Sequence, residues 1–184
     1  MFNTDGYVHE SLSDDYIESI IESLYQTYPD MSYEQETVLR YSLSKVGCPY
    51  NQSYHGNLSV DIFDCSSLAY RAYLQAGIGI DYNGNYTAAA ECLEMVNNNQ
   101  IIGAADELKP GDLIFYGGSD NGRYLGIYHV AIYVGKINGI DKMVEARGVS
   151  WGVVYCDVRI NNVVKIARPY DTEEIVMLTM GLEK

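Results

Sequence analysis

The sequence predicts an α+β domain in which helices from the first half of the chain pack on one face of an antiparallel sheet that curls toward a barrel. Three observations carry this. Helical periodicity of apolar positions is confined to the chain before Val96, and short β-rich runs split by Gly, Asn and Asp fill the stretch from Asp112 to Ala167. The chain has 184 residues, of which 47% are hydrophobic and 20% charged, so it has the size and composition of one domain with a real core. Helices first and strands afterwards is the order in which such domains read.

Residues 1–31 form a polar, acidic extension whose stretch from Asp15 to Tyr28 repeats Tyr16, Ile20, Leu24 and Tyr28 every four residues, the spacing of one helix face. Pro29-Asp30 ends it. Ser32 and Gln35 make a capping box that opens a second helix from Tyr33 to Val46, closed by Gly47 and Cys48-Pro49. A loop rich in Asn, Ser and Gly runs from Asn51 to Asp61. Asp64 is then a good N-cap for a helix through Leu68, Ala69, Ala72 and Tyr73 to Gly77. A further helix covers Thr87 to Val96. After the Pro110-Gly111 turn come strands at Asp112–Tyr116, Tyr128–Val134, Lys142–Ala146, Val153–Val158 and Val163–Ala167. Residues 32–170 are read as the principal domain and residues 171–184 as a C-terminal tail.

Charge and cysteine usage exclude several classes of function. Twelve Lys plus Arg against 25 Asp plus Glu leave a net charge of −13, which repels phosphate backbones and anionic lipid surfaces, so neither nucleic acid nor a membrane is an expected partner. The opening residues have no basic and apolar leader pattern. The four cysteines are scattered without a C-x-x-C pair, and there are only three histidines, which disfavours zinc; no metal or organic cofactor is expected. Eighteen tyrosines against three phenylalanines supply aromatic surface with a polar handle, in the core or in a sugar- or peptide-binding groove.

One constellation carries chemistry. Asp64-Cys65-Ser66-Ser67 sets a thiol at a helix N-terminus, where free backbone N–H groups and the helix dipole favour the thiolate. The run from Tyr128 to Gly135 alternates, with Val130, Ile132 and Val134 on a core face and His129, Ala131, Tyr133 and Gly135 on the other. The small residues of the second face would let the helix approach and bring Cys65 within hydrogen-bond reach of His129, as nucleophile and base require. A hairpin through Asn138-Gly139 would set Glu145 beside His129, to orient the ring or, alternatively, to pair with Arg147 or Lys142. His55 is a remote candidate for a second imidazole. Asp112 is read as holding its turn, and Trp151 as core packing or a loop aromatic over a cleft.

Four ordered blocks resemble the NlpC/P60 family of papain-like cysteine peptidases that cut bacterial cell-wall peptides. They are Gly47-x-Pro49-Tyr50, Phe63-Asp64-Cys65-Ser66-Ser67, the run from Leu108 to Tyr116, and the run from His129 to Gly135, and together they cover about Ser32 to Pro169. The resemblance implies the papain-like NlpC-type fold, with Cys65 as nucleophile, His129 as general base and then acid, and Glu145 at the position that orients the histidine, where the family more often has His and sometimes Asn or Gln. It implies that Tyr50, Asp64 and Ser66 line the pocket for the free amine of a terminal L-alanine, with Tyr54 as a rival for the tyrosine. The implied substrate is a peptidoglycan stem peptide or its fragments, cut between D-glutamate's γ-carboxyl and the diamino acid. The implied location is secreted or at the cell wall, by export of a longer protein with further domains or by a larger delivery machine, with cytoplasmic action on fragments as the alternative. Ser67 and Ala131 replace family glycines, and residues 51–56 replace a Trp-Gly-Gly. Ser67 and the unusual third residue motivate one alternative, an inactive binding or structural module of the same fold; another is an acyltransferase or amidase of the wider superfamily acting on another amide, although Cys65 precedes His129 here, unlike in the permuted lipid-acting relatives.

Overall fold

The computed structural model describes residues 7–103 and 107–170, so the expected tail at 171–184 lies outside the described residues. The order is α1 (Asp14–Thr27), α2 (Tyr33–Ser44), α3 (Cys65–Gln75), α4 (Ala88–Asn97), β1 (Ile101–Ile102), β2 (Leu113–Tyr116), β3 (His129–Ile137), β4 (Ile140–Gly148), β5 (Gly152–Asp157) and β6 (Val163–Ala167). The strands form one open antiparallel sheet in the order β1-β6-β2-β3-β4-β5. It curls without closing.

Local chemistry places the helix starts. Ser13 caps α1, and Ser32 with Gln35 forms the expected capping box on α2. The α1 face that reaches the core is Ile17, Ile20, Ile21 and Leu24, and Tyr16 stays outside. Asn138 and Gly139 both have positive φ, 52° and 81°, the conformation of a two-residue turn whose twist matches its strands. They join β3 to β4 with Ile137 opposite Ile140.

All four helices share one apolar core with Leu113, Phe115, Val130, Ile132, Val134, Val144, Ala146, Val153 and Tyr155, which is one face of the sheet. A smaller cluster of Ile114, Tyr116, Ala131, Tyr133, Met143, Val154 and Cys156 covers the other face. This corrects one expectation: the helices pack on the Val130 face, and the small residues on the His129 face do not admit α3. Gly135 serves α1 instead. Its φ is 134°, at a register shift in β3, and a Cβ there would collide with Leu24 and press on Tyr28.

The loop before α3 is fastened, although its composition reads as a flexible segment. The Asn51 backbone N–H donates to the Phe63 carbonyl and the Phe63 N–H to the Pro49 carbonyl, and Arg71 of α3 donates to the Val60 carbonyl at 2.7 Å while lying over the Phe63 ring. Trp151 is not core: it is 40% exposed on the β4–β5 turn, stacked on His9.

Candidate active site

Cys65 is the first residue of α3, with Asp64 as N-cap. Asp64 Oδ1 accepts from the Ser67 backbone N–H at 2.7 Å, and Ser67 Oγ accepts from the Asp64 N–H at 2.9 Å, so the residue that departs from the family pattern closes a reciprocal capping box. This fixes the first turn and leaves the amides nearest the thiol outside the box. Cys65 is 9% exposed.

The thiol meets His129 at the end of the sheet. His129 is the first residue of β3, and the side chain of Cys65 lies near enough to its imidazole to raise its pKa. On its other side His129 Nε2 lies 2.5 Å from Glu145 Oε2. The Asn138-Gly139 hairpin thus sets Glu145 against the imidazole, as the spacing predicts. Tyr116 flanks the ring with centroids 5.7 Å apart.

Glu145 is fully buried, and of the two alternative partners expected of it Arg147 makes a long ion pair and Lys142 makes none with it. Lys142 pairs with Asp157, and Arg147 comes only within 3.8 Å of Oε1. Arg159, which the sequence reading passes over, donates to both carboxylate oxygens, with Nη2 2.7 Å from Oε2 and Nη1 on Oε1. It stands in a polar loop after β5, fourteen positions from its partner, without a motif to mark it.

Burial opposes charge on Glu145, but hydrogen bonds from His129 and Arg159 outweigh it and hold the carboxyl down at about 2. Burial likewise pushes His129 down, while hydrogen bonds with Cys65 and Glu145 raise it to about 9. A histidine raised above its unfolded value near 6.5 stabilises the fold below that pH and loses this contribution as pH rises through about 9. Urea unfolding of the wild type should therefore show a stability loss of up to about 3 kcal/mol between pH 6.5 and 9.5, larger than that of His129→Asn. Equal slopes for the two proteins would exclude the linkage.

Around this centre, Tyr50 is half-buried, and burial and the electrostatic influence of Cys65 raise its hydroxyl, whereas Tyr54 is 38% exposed. Ser66 Oγ donates to Asp64 Oδ1 at 3.3 Å. Asp64 Oδ2 is 2.8 Å from His55 Nδ1, and this contact with the Ser67 amide keeps the carboxyl low against its burial. His55 stacks on Tyr86, which stacks on Tyr70. It therefore reaches Asp64, not Cys65 or Glu145, in the contacts described. Glu91 of α4 is fully buried, neither of its oxygens has a hydrogen-bond partner among the described residues, and burial with the nearby Cys65 and Asp64 holds it protonated well above the carboxylate range. Asp112 holds its turn as expected, accepting from the Lys109 N–H, Arg168 and Tyr170. Among the described residues no group of three or more His, Cys, Asp or Glu could hold a metal ion, and no helix is long and apolar enough to cross a membrane.

The model of the NlpC/P60 family matches residues 47–168, which contain Cys65, His129 and Glu145. This chain belongs to the NlpC/P60 family. No curated protein matches it. Among solved structures, NlpC1 from Trichomonas vaginalis is 27% identical with a TM-score of 0.58, over 75% of this chain and 44% of that one. The chain thus spans less than half the length of that relative. The P60 domain of an antigen from M. avium subspecies paratuberculosis is 26% identical with a TM-score of 0.55, over 75% of this chain and 96% of that domain. The peptidoglycan hydrolase RipB from Mycobacterium tuberculosis, 23% identical over 85% of this chain and 84% of its own with a TM-score of 0.56, shares the fold of this NlpC/P60 chain.

Proposed function

We propose that this NlpC/P60 chain is a cysteine peptidase that hydrolyses peptidoglycan stem peptides at the bond between the D-glutamate γ-carboxyl and the diamino acid. The observation that carries the reading is the cluster of Cys65, His129 and Glu145, a thiol at a helix N-terminus near an imidazole whose Nε2 meets a buried carboxylate. The family and the naming of RipB as a peptidoglycan hydrolase supply the substrate class.

In this reading Cys65 has already given its proton to His129, which Glu145 holds as an imidazolium, and the sulfur attacks the amide carbonyl. The oxyanion lies at the amides of the first turn of α3, which are kept in place by the Asp64–Ser67 box. His129 gives that proton to the leaving amine, and the acyl-enzyme forms. Water gives its proton to His129, attacks the thioester and releases the acid, and Cys65 leaves as the thiolate. Tyr50, Asp64 and Ser66 form the wall that meets the substrate's N-terminal side. The test is mass spectrometry of L-Ala-γ-D-Glu-diamino acid-D-Ala incubated with the protein. Release of L-Ala-D-Glu is expected. An intact peptide, free and cross-linked alike, would overturn the reading in favour of an inactive module or another amide substrate.

A further inference from the structure

We propose that Arg159 is a positioning residue for the Cys65–His129 pair, acting through Glu145 by gripping both of its carboxylate oxygens. The inference deepens the reading of Cys65 and His129 as the reacting pair and rests on it.

A carboxylate that meets an imidazole through one oxygen is free to rotate and present either oxygen, or neither. Here rotation is blocked. Arg159 Nη1 takes Oε1 and Nη2 takes Oε2 at 2.7 Å, the same oxygen that faces His129 Nε2, so the guanidinium fork and the imidazole share one carboxylate. Arg159 is itself held: its guanidinium lies over the Tyr116 ring at 5.2 Å, and its carbonyl accepts from the Tyr116 hydroxyl at 3.0 Å. Tyr116 also flanks His129, so one aromatic ring sets the clamp and the imidazole relative to each other.

The other groups around the carboxylate cannot replace the fork. From β4 itself, Arg147 stops 3.8 Å from Oε1, its guanidinium committed over the Tyr7 and Trp151 rings. From β5, Cys156 offers only a thiol at 3.7 Å. From β3 comes His129, with Cys65 of α3 beyond it. The fork therefore has a second consequence: in a fully buried site it keeps Glu145 an acceptor, able to take the Nε2–H of an imidazolium without competing for the proton. Without it Glu145 holds a proton at higher pH, and the imidazolium beside Cys65 loses its partner under less acid conditions.

The test is the rate of Cys65 alkylation by iodoacetamide from pH 4 to pH 8, which needs no substrate. In Arg159→Met the acid limb should move up by about one pH unit. Arg159→Lys, which keeps a cation but loses the fork, should recover part of that shift, with kcat on the stem peptide about tenfold down and KM unchanged. Adding Arg159→Met to Glu145→Gln should move the limb no further, because the effect runs through the carboxylate. A wild-type profile in folded Arg159→Met, or an equal shift in the Glu145→Gln background, would overturn the proposal. If Arg159→Met does not fold, Arg159→Lys decides: a wild-type profile together with wild-type kcat overturns it. Failure of the wild type to cleave stems counts against the proposed reaction, and the alkylation series still decides the clamp.

Discussion

Cys65→Ala should lower stem-peptide cleavage by about 10³-fold or more while leaving the fold intact, because no other group in the site can form the acyl intermediate. The fold is safe because the residue's structural task is small. Cys65 is only the first residue of α3, and the capping box that holds that turn belongs to Asp64 and Ser67. Alanine is also the best helix former. The other three cysteines offer no substitute. Cys92 and Cys156 are fully buried, with thiols that burial holds up, Cys92 at about 12, and Cys48 is raised as well. Measured by product mass spectrometry with a matched thermal melt, residual cleavage within tenfold of wild type would exclude Cys65 as the nucleophile. An inactive module would show the same null result for both proteins.

Glu145→Gln should cost both rate and stability. The amide keeps the shape and can still accept the imidazole N–H, but it brings no charge to offset the imidazolium, and a loss of about 10²–10⁴-fold in kcat is expected for this kind of change. The same substitution leaves Arg159 facing a neutral amide, and because its side chain is 33% exposed the loss should lie below about 3–5 kcal/mol, the cost of breaking a fully buried pair from one side. The sign with pH follows from the carboxyl held down at about 2: its contribution to the wild type is present above the unfolded value near 4.3 and fades as pH falls through about 2. Urea midpoints of wild type and Glu145→Gln should therefore differ at pH 6 and draw together toward pH 2.5. A difference that does not change with pH would mean that the carboxylate's charge is not what stabilises the site.

The α+β order, the capped helices and the hairpin through Asn138-Gly139 were legible because each rests on neighbours in sequence: a cap and its third residue, a pair of positive-φ positions, an alternation of two. Cys65, His129 and Glu145 could be proposed for the same reason, one from its cap, one from its strand and one from the hairpin register. Arg159 could not, because its role is created by the fold, where a loop after β5 returns over Tyr116. His55 hid in the same way: it reads as a loop residue, and only the stack on Tyr86 and Tyr70 and the fastening of residues 51–63 bring it to Asp64. The side of the sheet that takes the helices was misjudged from residue size alone. Small residues permit a close approach, but the larger apolar area lies on the Val130 face, and burial of area decides.

Leu24 and Tyr28 lie against the bare backbone of Gly135, and Ile17, Ile20 and Ile21 enter the same core as β3. The practical consequence concerns how this protein can be cut for expression. A fragment trimmed to residues 47–168, the stretch that the family model matches, would lack α1 and also Val38, Leu39 and Leu43 of α2, and would leave their share of the sheet face wet. Apolar surface of that kind recruits other chains. In this molecule the stretch that homology outlines and the stretch that covers the sheet's apolar face have different edges.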